Sequence, residues 1–115
     1  MAREFDLEKR STEFAKAVIR ACKDLPRNPM NDRIVGQVVG SSGSVGANYR
    51  EANDALGKKD FLQRLKIARR EAKESHHWLE LMLEANLNHE NDIKPLIKEA
   101  GELKSILSAI INKSE

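Results

Sequence analysis

Apolar residues recur at steps of three and four along most of the chain, which is the spacing of one face of an α-helix. Pro26 and Pro29 separate the first series from the second, because the residue before a proline is pushed out of the helical region. No stretch alternates with the period of two that a strand requires over more than a few residues. The pattern predicts an all-α fold, an antiparallel up-and-down four-helix bundle. The four series are Leu7, Ser11, Phe14, Val18, Ala21 and Leu25; Ile34, Val38, Ser41, Val45, Tyr49, Ala52 and Leu56; Phe61, Leu65, Ala68, Ala72, Ser75, Leu79, Met82 and Asn86; and Ile93, Leu96, Ala100, Leu103, Leu107 and Ile110.

A glycine- and serine-rich tract, residues 40–46, interrupts the second series with a composition typical of a loop. Each glycine costs about 1 kcal/mol relative to alanine inside a helix. The apolar series nevertheless keeps its register on both sides of the tract. We therefore predict one continuous helix, which is held by packing and not by intrinsic propensity. Gly36, Gly40, Gly43 and Ala47 share one stripe of this helix, where we expect a neighbouring helix to approach closely.

The 115 residues have the size of one domain, so residues 1–115 are predicted to form a single bundle, and a hydrophobic fraction of 40% is enough for one core. Cys22, the one cysteine, excludes an internal disulfide and suits a reducing compartment. It lies on the apolar side of the first predicted helix, so it is expected to be buried and inert. The charged N-terminus and the short, polar charge-free stretch 34–49 predict neither a targeting signal nor a membrane span. We expect a cytoplasmic protein with no membrane partner.

Charge is unevenly distributed along the predicted third helix, although the whole chain carries only +2. Residues 58–70 contain six cations against Asp60, a local charge of +5, and residues 71–92 contain six acids against Lys73, a local charge of −5. A solvated helix face with mixed charges is one interpretation. A basic patch for phosphate backbones, or complementary ends for self-assembly, is the other. The six cations are Lys58, Lys59, Arg64, Lys66, Arg69 and Arg70.

No motif for nucleotide binding, metal binding or catalysis is complete. The glycine tract lacks the lysine of a phosphate-binding loop, and no Gly-x-Gly-x-x-Gly follows a strand. Glu74 and His77 have the spacing used in di-iron bundles, but such sites need that motif on two helices. A metal or enzyme site at Glu74, His76 and His77 is therefore the weakest alternative. With only five aromatic residues, Tyr49 and Trp78 are predicted to be packing residues and not a base-stacking platform. The sequence predicts no enzyme activity, no metal and no cofactor.

Several strings of residues are similar to those of one bacterial family. They are Asp6-Leu7-Glu8-Lys9-Arg10; Ser42 to Ala52, with Gly-Ala-Asn-Tyr-Arg-Glu-Ala at its end; Lys58-Lys59-Asp60-Phe61 with Leu65, Ile67, Ala68, Glu71 and Glu74; Trp78-Leu79-Glu80-Leu81; and Glu99-Ala100 with Leu103, Ile106 and Leu107. Together they cover roughly residues 4–113. On these residues the chain resembles the four-helix-bundle family named for proteins encoded within intervening sequences of large-subunit ribosomal RNA genes.

The resemblance implies a fold and an assembly more than an activity. Members of this family are antiparallel four-helix bundles that associate into five-membered rings, with the glycine-serine tract inside the second helix. Relatives include accessory proteins of diversity-generating retroelements, which bind nucleic acid and a reverse transcriptase. The resemblance therefore implies a homo-oligomer, a pentamer, with RNA or DNA as a further partner.

Two interpretations of the matched residues stay open. In the structural one, Asn48 bonds to a neighbouring helix, and Arg50 and Glu51 pair with Glu71, Glu74 or Lys59 within one protomer or between subunits. In the functional one, Arg50 joins the cations of residues 58–70 as a phosphate contact. The first predicts a scaffold or accessory protein that acts by assembly, and the second predicts a sequence-nonspecific RNA- or DNA-binding protein. The residues of the structural network are Asn48, Tyr49, Arg50, Glu51, Glu71, Glu74 and Trp78.

Overall fold

The computed structural model describes residues 6–115, and within that range it contains four α-helices, one 3₁₀ turn and no strand. The helices are α1 (Leu7–Lys23), α2 (Pro29–Asn53), α3 (Lys58–Ala85) and α4 (Glu90–Ser114), and the 3₁₀ turn is Leu87–His89. None of these helices is long and apolar enough to cross a membrane. The predicted all-α fold is confirmed. Arg3 and Glu4, which contribute to the charged N-terminus, lie outside the described residues.

Local signals set where the helices begin. The Asp6 carboxylate accepts a hydrogen bond at 3.3 Å from the backbone N–H three residues later, and the Asn28 side chain accepts an equivalent bond at 2.8 Å. Both side chains therefore cap the start of a helix. Pro29, in the first turn of α2, needs no N–H partner there. Gly57 precedes α3 with a φ of +112°, a backbone conformation that favours glycine.

The four helices are arranged so that each contacts two neighbours. α2 lies between α1 and α3, and α4 closes the arrangement by contacting α3 and α1. Glu8 at the start of α1 contacts Arg50 near the end of α2. Asn31 near the start of α2 contacts Asn86, directly after the end of α3. Successive helices are therefore antiparallel, which is the predicted up-and-down bundle.

The predicted apolar series builds the interior of the bundle, with two corrections. Leu56 is 95% exposed, because α2 ends three residues before it and Leu56 falls in the connection to α3. In α4, Ile111 is buried and Ile110 is only half-buried. Tyr49 and Phe61 contact the core from half-buried positions. The members that are buried are Leu7, Ser11, Phe14, Val18, Ala21, Leu25, Ile34, Val38, Ser41, Val45, Ala52, Leu65, Ala68, Ala72, Ser75, Leu79, Met82, Asn86, Ile93, Leu96, Ala100, Leu103 and Leu107.

α2 runs without interruption through the glycine- and serine-rich tract, as predicted. The close helix approach, however, occurs at a different glycine. Gly46 is buried, and a Cβ added there would lie 2.9 Å from Ser11 Oγ of α1. The predicted stripe faces outward instead, and a Cβ at any of its three glycines would meet no heavy atom of residues 6–115 within 4 Å. The exposed residues of this outer glycine stripe are Gly36, Gly40, Gly43 and Ala47.

Buried polar residues pair with each other between α2 and α3. The Asn31 and Asn86 side chains exchange two amide hydrogen bonds, of 3.0 and 2.9 Å, and each amide nitrogen also donates to a backbone carbonyl at 2.9 Å. The Ser75 hydroxyl donates to Ser41 Oγ at 2.9 Å. An unpaired buried polar group costs about 1–3 kcal/mol. These pairs therefore favour a single alignment of α2 against α3.

Candidate functional site

A groove of about 350 Å³ runs between α3 and α4 and is lined by cationic side chains. Lys66, Arg69 and Lys73 recur at steps of three and four, so they lie along one side of α3. Lys104 stands on the opposite wall, which α4 provides. We name this site the cationic groove. Its lining residues are Lys66, Arg69, Arg70, Lys73, Lys104 and Ser108.

The cations of the cationic groove are only partly neutralised. Lys66 Nζ lies 3.2 Å from Glu115 Oε2, and Arg70 Nη2 lies 4.0 Å from Glu71 Oε2. Like charges that gather without acidic partners create a positive potential that attracts anions. Within residues 6–115, the lining cations that take part in no ion pair are Arg69, Lys73 and Lys104.

The structure divides the cations that the sequence placed in one basic patch. Three of the six line the cationic groove. Arg64 faces α2 instead, where its Nη1 lies 3.4 Å from Asn48 Oδ1. Its Nε lies 3.9 Å from Oδ1 of Asp60, one turn earlier on α3. Lys58 and Lys59 are exposed in the first turn of α3, outside the groove lining. The basic patch is therefore smaller along α3 than predicted, and it extends across to α4.

Arg50 belongs to a separate cluster that joins α2 to the start of α1. Its Nη1 donates to Glu8 Oε1 at 2.9 Å, and its Nη2 donates to Thr12 Oγ1 at 3.1 Å. The expected ion pairs with Glu71 and Glu74 do not form within the described chain, because Arg50 points toward α1 while both acids lie on α3. Arg50 is likewise not part of the cationic groove.

The other residues of the predicted network are scattered over the protomer. Asn48 contacts α3 through Arg64, and it also donates to the Ser44 carbonyl of its own helix at 2.9 Å. Glu71 is half-buried, and burial, together with the nearby Glu74 carboxylate, raises the pKa of its carboxyl group. Among residues 6–115, no ion pair is formed by the exposed members Glu51 and Glu74 or by their predicted partner Lys59. The half-buried aromatic members, which contact the core, are Tyr49 and Trp78.

A bidentate ion pair between α1 and α4 is not among the predicted site residues, although Arg10 and Glu99 both stand in the strings that carry the family resemblance. Arg10 Nε and Nη2 donate to the two Glu99 oxygens at 2.7 and 2.9 Å, and Nη2 also donates to Glu102 Oε1 at 2.7 Å. The hydrogen bond to Glu99 is the main reason why the pKa of Arg10 is raised. Glu99 and Glu102 lie three residues apart on α4, so they present two carboxylates to one partner. This cluster holds α1 against the bundle.

The candidate metal-ligating and nucleophilic residues do not converge. His76 Nδ1 lies 3.6 Å from Glu80 Oε1, and the His77 ring lies edge-on to Trp78 with centroids 5.3 Å apart. No group of three or more His, Cys, Asp or Glu among residues 6–115 is placed to hold a metal ion. Cys22 is half-buried and not fully buried as expected, and burial raises the pKa of its thiol to about 11. The thiol is therefore protonated near neutral pH.

A second surface combines the outer glycine stripe with a groove between α1 and α2. This apolar groove has a volume of about 730 Å³. Ile19 in its wall is 44% exposed, and Lys23 contributes a cation. Gly36 belongs to both the groove lining and the stripe, so the two features are continuous. The apolar lining residues are Ile19, Cys22, Leu25, Pro26, Val35, Gly36 and Val39.

Comparison with known proteins agrees with the fold and with the strings described above. The chain is similar to a solved structure of a protein of unknown function from the S23 ribosomal protein family of Bacteroides thetaiotaomicron VPI-5482, with 29% sequence identity and a TM-score of 0.79. The similarity covers 92% of this chain and 98% of that chain. No curated protein matches. The model of the 23S rRNA-intervening sequence protein family matches residues 3–109, and the chain therefore belongs to that family.

Proposed function

We propose that the protein is a non-enzymatic, homo-oligomeric scaffold or accessory protein, in which the outer glycine stripe of one copy contacts a second copy. The observation that supports the proposal is that glycines occupy an exposed helix face where no heavy atom of residues 6–115 would lie within 4 Å of an added Cβ. The family resemblance of the sequence strings implies that the assembled form is a pentameric ring. The mechanism is assembly, since a ring repeats each weak contact of one protomer several times.

The glycines of α2 fall into two kinds, which differ in whether another helix of the described chain lies close to them. At Gly46 the absence of a side chain permits Ser11 of α1 to approach. A contact within the protomer therefore explains why glycine occupies this position. The glycines of the outer glycine stripe each cost about 1 kcal/mol relative to alanine, and nothing in residues 6–115 comes within 4 Å of an added Cβ. The close approach of another helix makes use of bare backbone. A partner outside the protomer therefore accounts for these glycines.

A second copy of the chain fits this surface. The apolar groove continues the outer glycine stripe, and burial of its apolar walls favours association. A ring needs two different patches on each protomer, which meet head to tail. The acidic half of α3, where Leu81 is 41% exposed, combines an apolar side chain with negative charge. We infer that it is the second patch, because its charge is opposite to that of Lys23 in the apolar groove.

A Gly40→Leu, Gly43→Leu double variant tests the proposal. Leucine has nearly the helix propensity of alanine, and the added Cβ atoms have free space in the protomer. Under conditions in which both proteins are monomeric, we expect the variant to unfold at a higher urea concentration than wild type. The same side chains block the approach of a second backbone, so the oligomer is expected to dissociate, as measured by size-exclusion chromatography with light scattering.

The matched control is Ser105→Leu, which places a leucine on an exposed position of α4, away from both features. It is expected to keep the wild-type mass. A wild-type protein that is monomeric at physiological salt would count against the proposal. So would a double variant that is stably folded and still has the mass of the oligomer.

Nucleic-acid binding is the second candidate function, and the cationic groove is the observation that favours it. Phosphate contacts by lysine and arginine release counterions, so affinity falls steeply with salt. Among residues 6–115, no aromatic side chain lines the groove, so contacts there are to the sugar–phosphate backbone and independent of base sequence. The family name refers to 23S rRNA, which makes structured RNA the first probe and duplex DNA the second. If four cations contact phosphates, the slope of log affinity against log salt is about −3 to −4.

Charge reversal within one helix tests this second function. Lys66→Glu with Lys73→Glu removes two cations of the cationic groove. Lys58→Glu with Lys59→Glu changes the net charge by the same amount on the same helix, outside the groove lining. We expect the first pair to abolish binding of labelled RNA and the second pair to weaken it only slightly. Equal effects of the two pairs would show that the groove is not the binding site.

A further inference from the structure

We propose that the cationic groove binds a compact oligophosphate, such as pyrophosphate, triphosphate or the phosphate tail of a nucleotide. The proposal rests on the same groove as the nucleic-acid function, but it names a small ligand that fills the site and is tested separately from RNA binding. It is independent of self-assembly. The arguments for it come from helix electrostatics, from the donor set and from the size of the groove.

The first argument is the repulsion among the groove cations of α3. Lys66 and Arg70 stand four residues apart, as do Arg69 and Lys73. Like charges at this spacing destabilise a helix. The acidic neighbours relieve only part of the repulsion, through the 3.2 Å contact of Lys66 with Glu115 and the 4.0 Å contact of Arg70 with Glu71. A multivalent anion held between α3 and α4 relieves the rest.

The second argument is the set of donors. A guanidinium group presents a planar fork that matches two oxygens of one phosphate, and Arg69 and Arg70 supply two such groups. Lys73 on α3 and Lys104 on α4 supply point charges from opposite walls. The Ser108 hydroxyl adds a neutral donor from α4. An anion in the groove is thus reached from both helices at once.

The volume of the cationic groove suits a small ligand. Sites for small molecules have volumes of about 300–1,000 Å³, and the groove, with about 350 Å³, lies at the small end of that range. Lone orthophosphate leaves part of such a space unfilled, whereas two or three linked phosphates occupy more of it and reach more of the donors. Because no aromatic side chain of the described chain lines the groove, a nucleobase finds no stacking partner among the lining residues. Recognition is therefore of the phosphates.

Isothermal titration calorimetry of the full chain with sodium triphosphate, and separately with orthophosphate, tests the proposal. We expect one triphosphate per protomer, bound at least about tenfold more tightly than orthophosphate, because the longer anion makes more charge-assisted hydrogen bonds. Lys73→Gln with Lys104→Gln is expected to weaken triphosphate binding about a hundredfold, with circular dichroism confirming the fold. Lys98→Gln with Lys113→Gln is the control, since it removes the same charge from exposed positions of α4 outside the groove lining.

A parallel titration with a short RNA that lacks terminal phosphates separates the two sources of phosphate. Triphosphate binding without RNA binding supports the oligophosphate site and overturns the nucleic-acid function. RNA binding without triphosphate binding overturns the oligophosphate site and leaves the nucleic-acid function intact. Binding of neither overturns both. If triphosphate binds equally well to the Lys73→Gln, Lys104→Gln variant and to its control, the assignment of the ligand to the cationic groove is wrong.

Discussion

The side of α2 that faces the bundle and the side that faces outward both carry small residues. Among residues 6–115, only the inward-facing side has a neighbouring helix close to its glycine. On the inner side, Gly46 lies against Ser11, and the Asn31 amide is paired with Asn86 across the interface with α3. On the outer side, the outer glycine stripe has no heavy atom of residues 6–115 within 4 Å of an added Cβ. The protomer therefore explains the inner residues and leaves the outer ones unexplained.

The difference separates residues of the fold from candidates for function. A residue whose size and polarity are matched by a neighbour in the same chain needs no partner. A residue that lowers the stability of the protomer, such as an exposed helical glycine or an uncompensated cation, is a candidate for a contact outside it. Substitutions on the two sides of α2 are therefore expected to change the free energy of unfolding in opposite directions.

The inner side is tested most strongly by Asn86→Ala. The substitution removes both amide hydrogen bonds to Asn31 and leaves a buried amide without its partner. We expect a loss of about 3 kcal/mol in the free energy of unfolding, measured by urea denaturation. In the Asn31→Ala, Asn86→Ala double variant, the loss is expected to be smaller than the sum of the two single losses. Additive losses would show that the pair is not coupled.

A smaller loss is expected for Gly46→Ala. The added methyl group would lie 2.9 Å from Ser11 Oγ and 3.4 Å from its Cβ, so the Ser11 hydroxyl must rotate away or α1 must shift, and the overpacking outweighs the gain in helix propensity by about 1 kcal/mol. Thermal unfolding gives the change in stability. Combining it with Ser11→Ala removes the nearest atom and is expected to recover most of the loss. A stabilised Gly46→Ala single variant would contradict this account.

Gly43→Ala is the matching change on the outer side, and its effect is expected to have the opposite sign. Because nothing in the described chain lies within 4 Å of the added Cβ, the protomer should gain up to about 1 kcal/mol from helix propensity alone. The free energies of unfolding of wild type and variant are measured by urea denaturation under conditions in which both are monomeric, for example in dilute solution. A loss of stability under those conditions would mean that the outer stripe already serves the protomer.

Cys22 is half-buried in the wall of the apolar groove, and its ionisation is expected to have the smallest effect on stability at neutral pH and a measurable one only in alkaline solution. Burial raises the pKa of the thiol from 9.0 to about 11. As the pH rises above 9, the unfolded chain loses this proton before the folded chain does, so stability falls between pH 9 and 11 and is unaffected at lower pH. The urea midpoint of wild type relative to Cys22→Ala, measured from pH 8 to 10.5, should show this decline. A constant difference across that range would contradict the shift.

The helices were predictable because each apolar series reports on its own segment. The continuous α2 could also be predicted, since the register of its series survives the glycine tract. The prediction that Leu56 belongs to the apolar face was wrong, because the helical period has no meaning after α2 has ended. The apolar pattern itself does not show where α2 ends. The site was predictable in part, since Lys66 and Arg69 follow the period of α3, whereas Lys104 lies on another helix.

The amino-acid sequence alone shows which segments become helices, which face of each helix is apolar and to which family the chain belongs. These properties depend on residues three or four apart, within one turn of one helix. Helix packing sets the remaining features: among residues 6–115, Gly46 and not the outer glycine stripe lies against a neighbour, Arg50 pairs with Glu8, and Lys104 completes the cationic groove. The physical reason is that these contacts join residues far apart in the chain, whose distances are set by how the helices rotate and pack against one another.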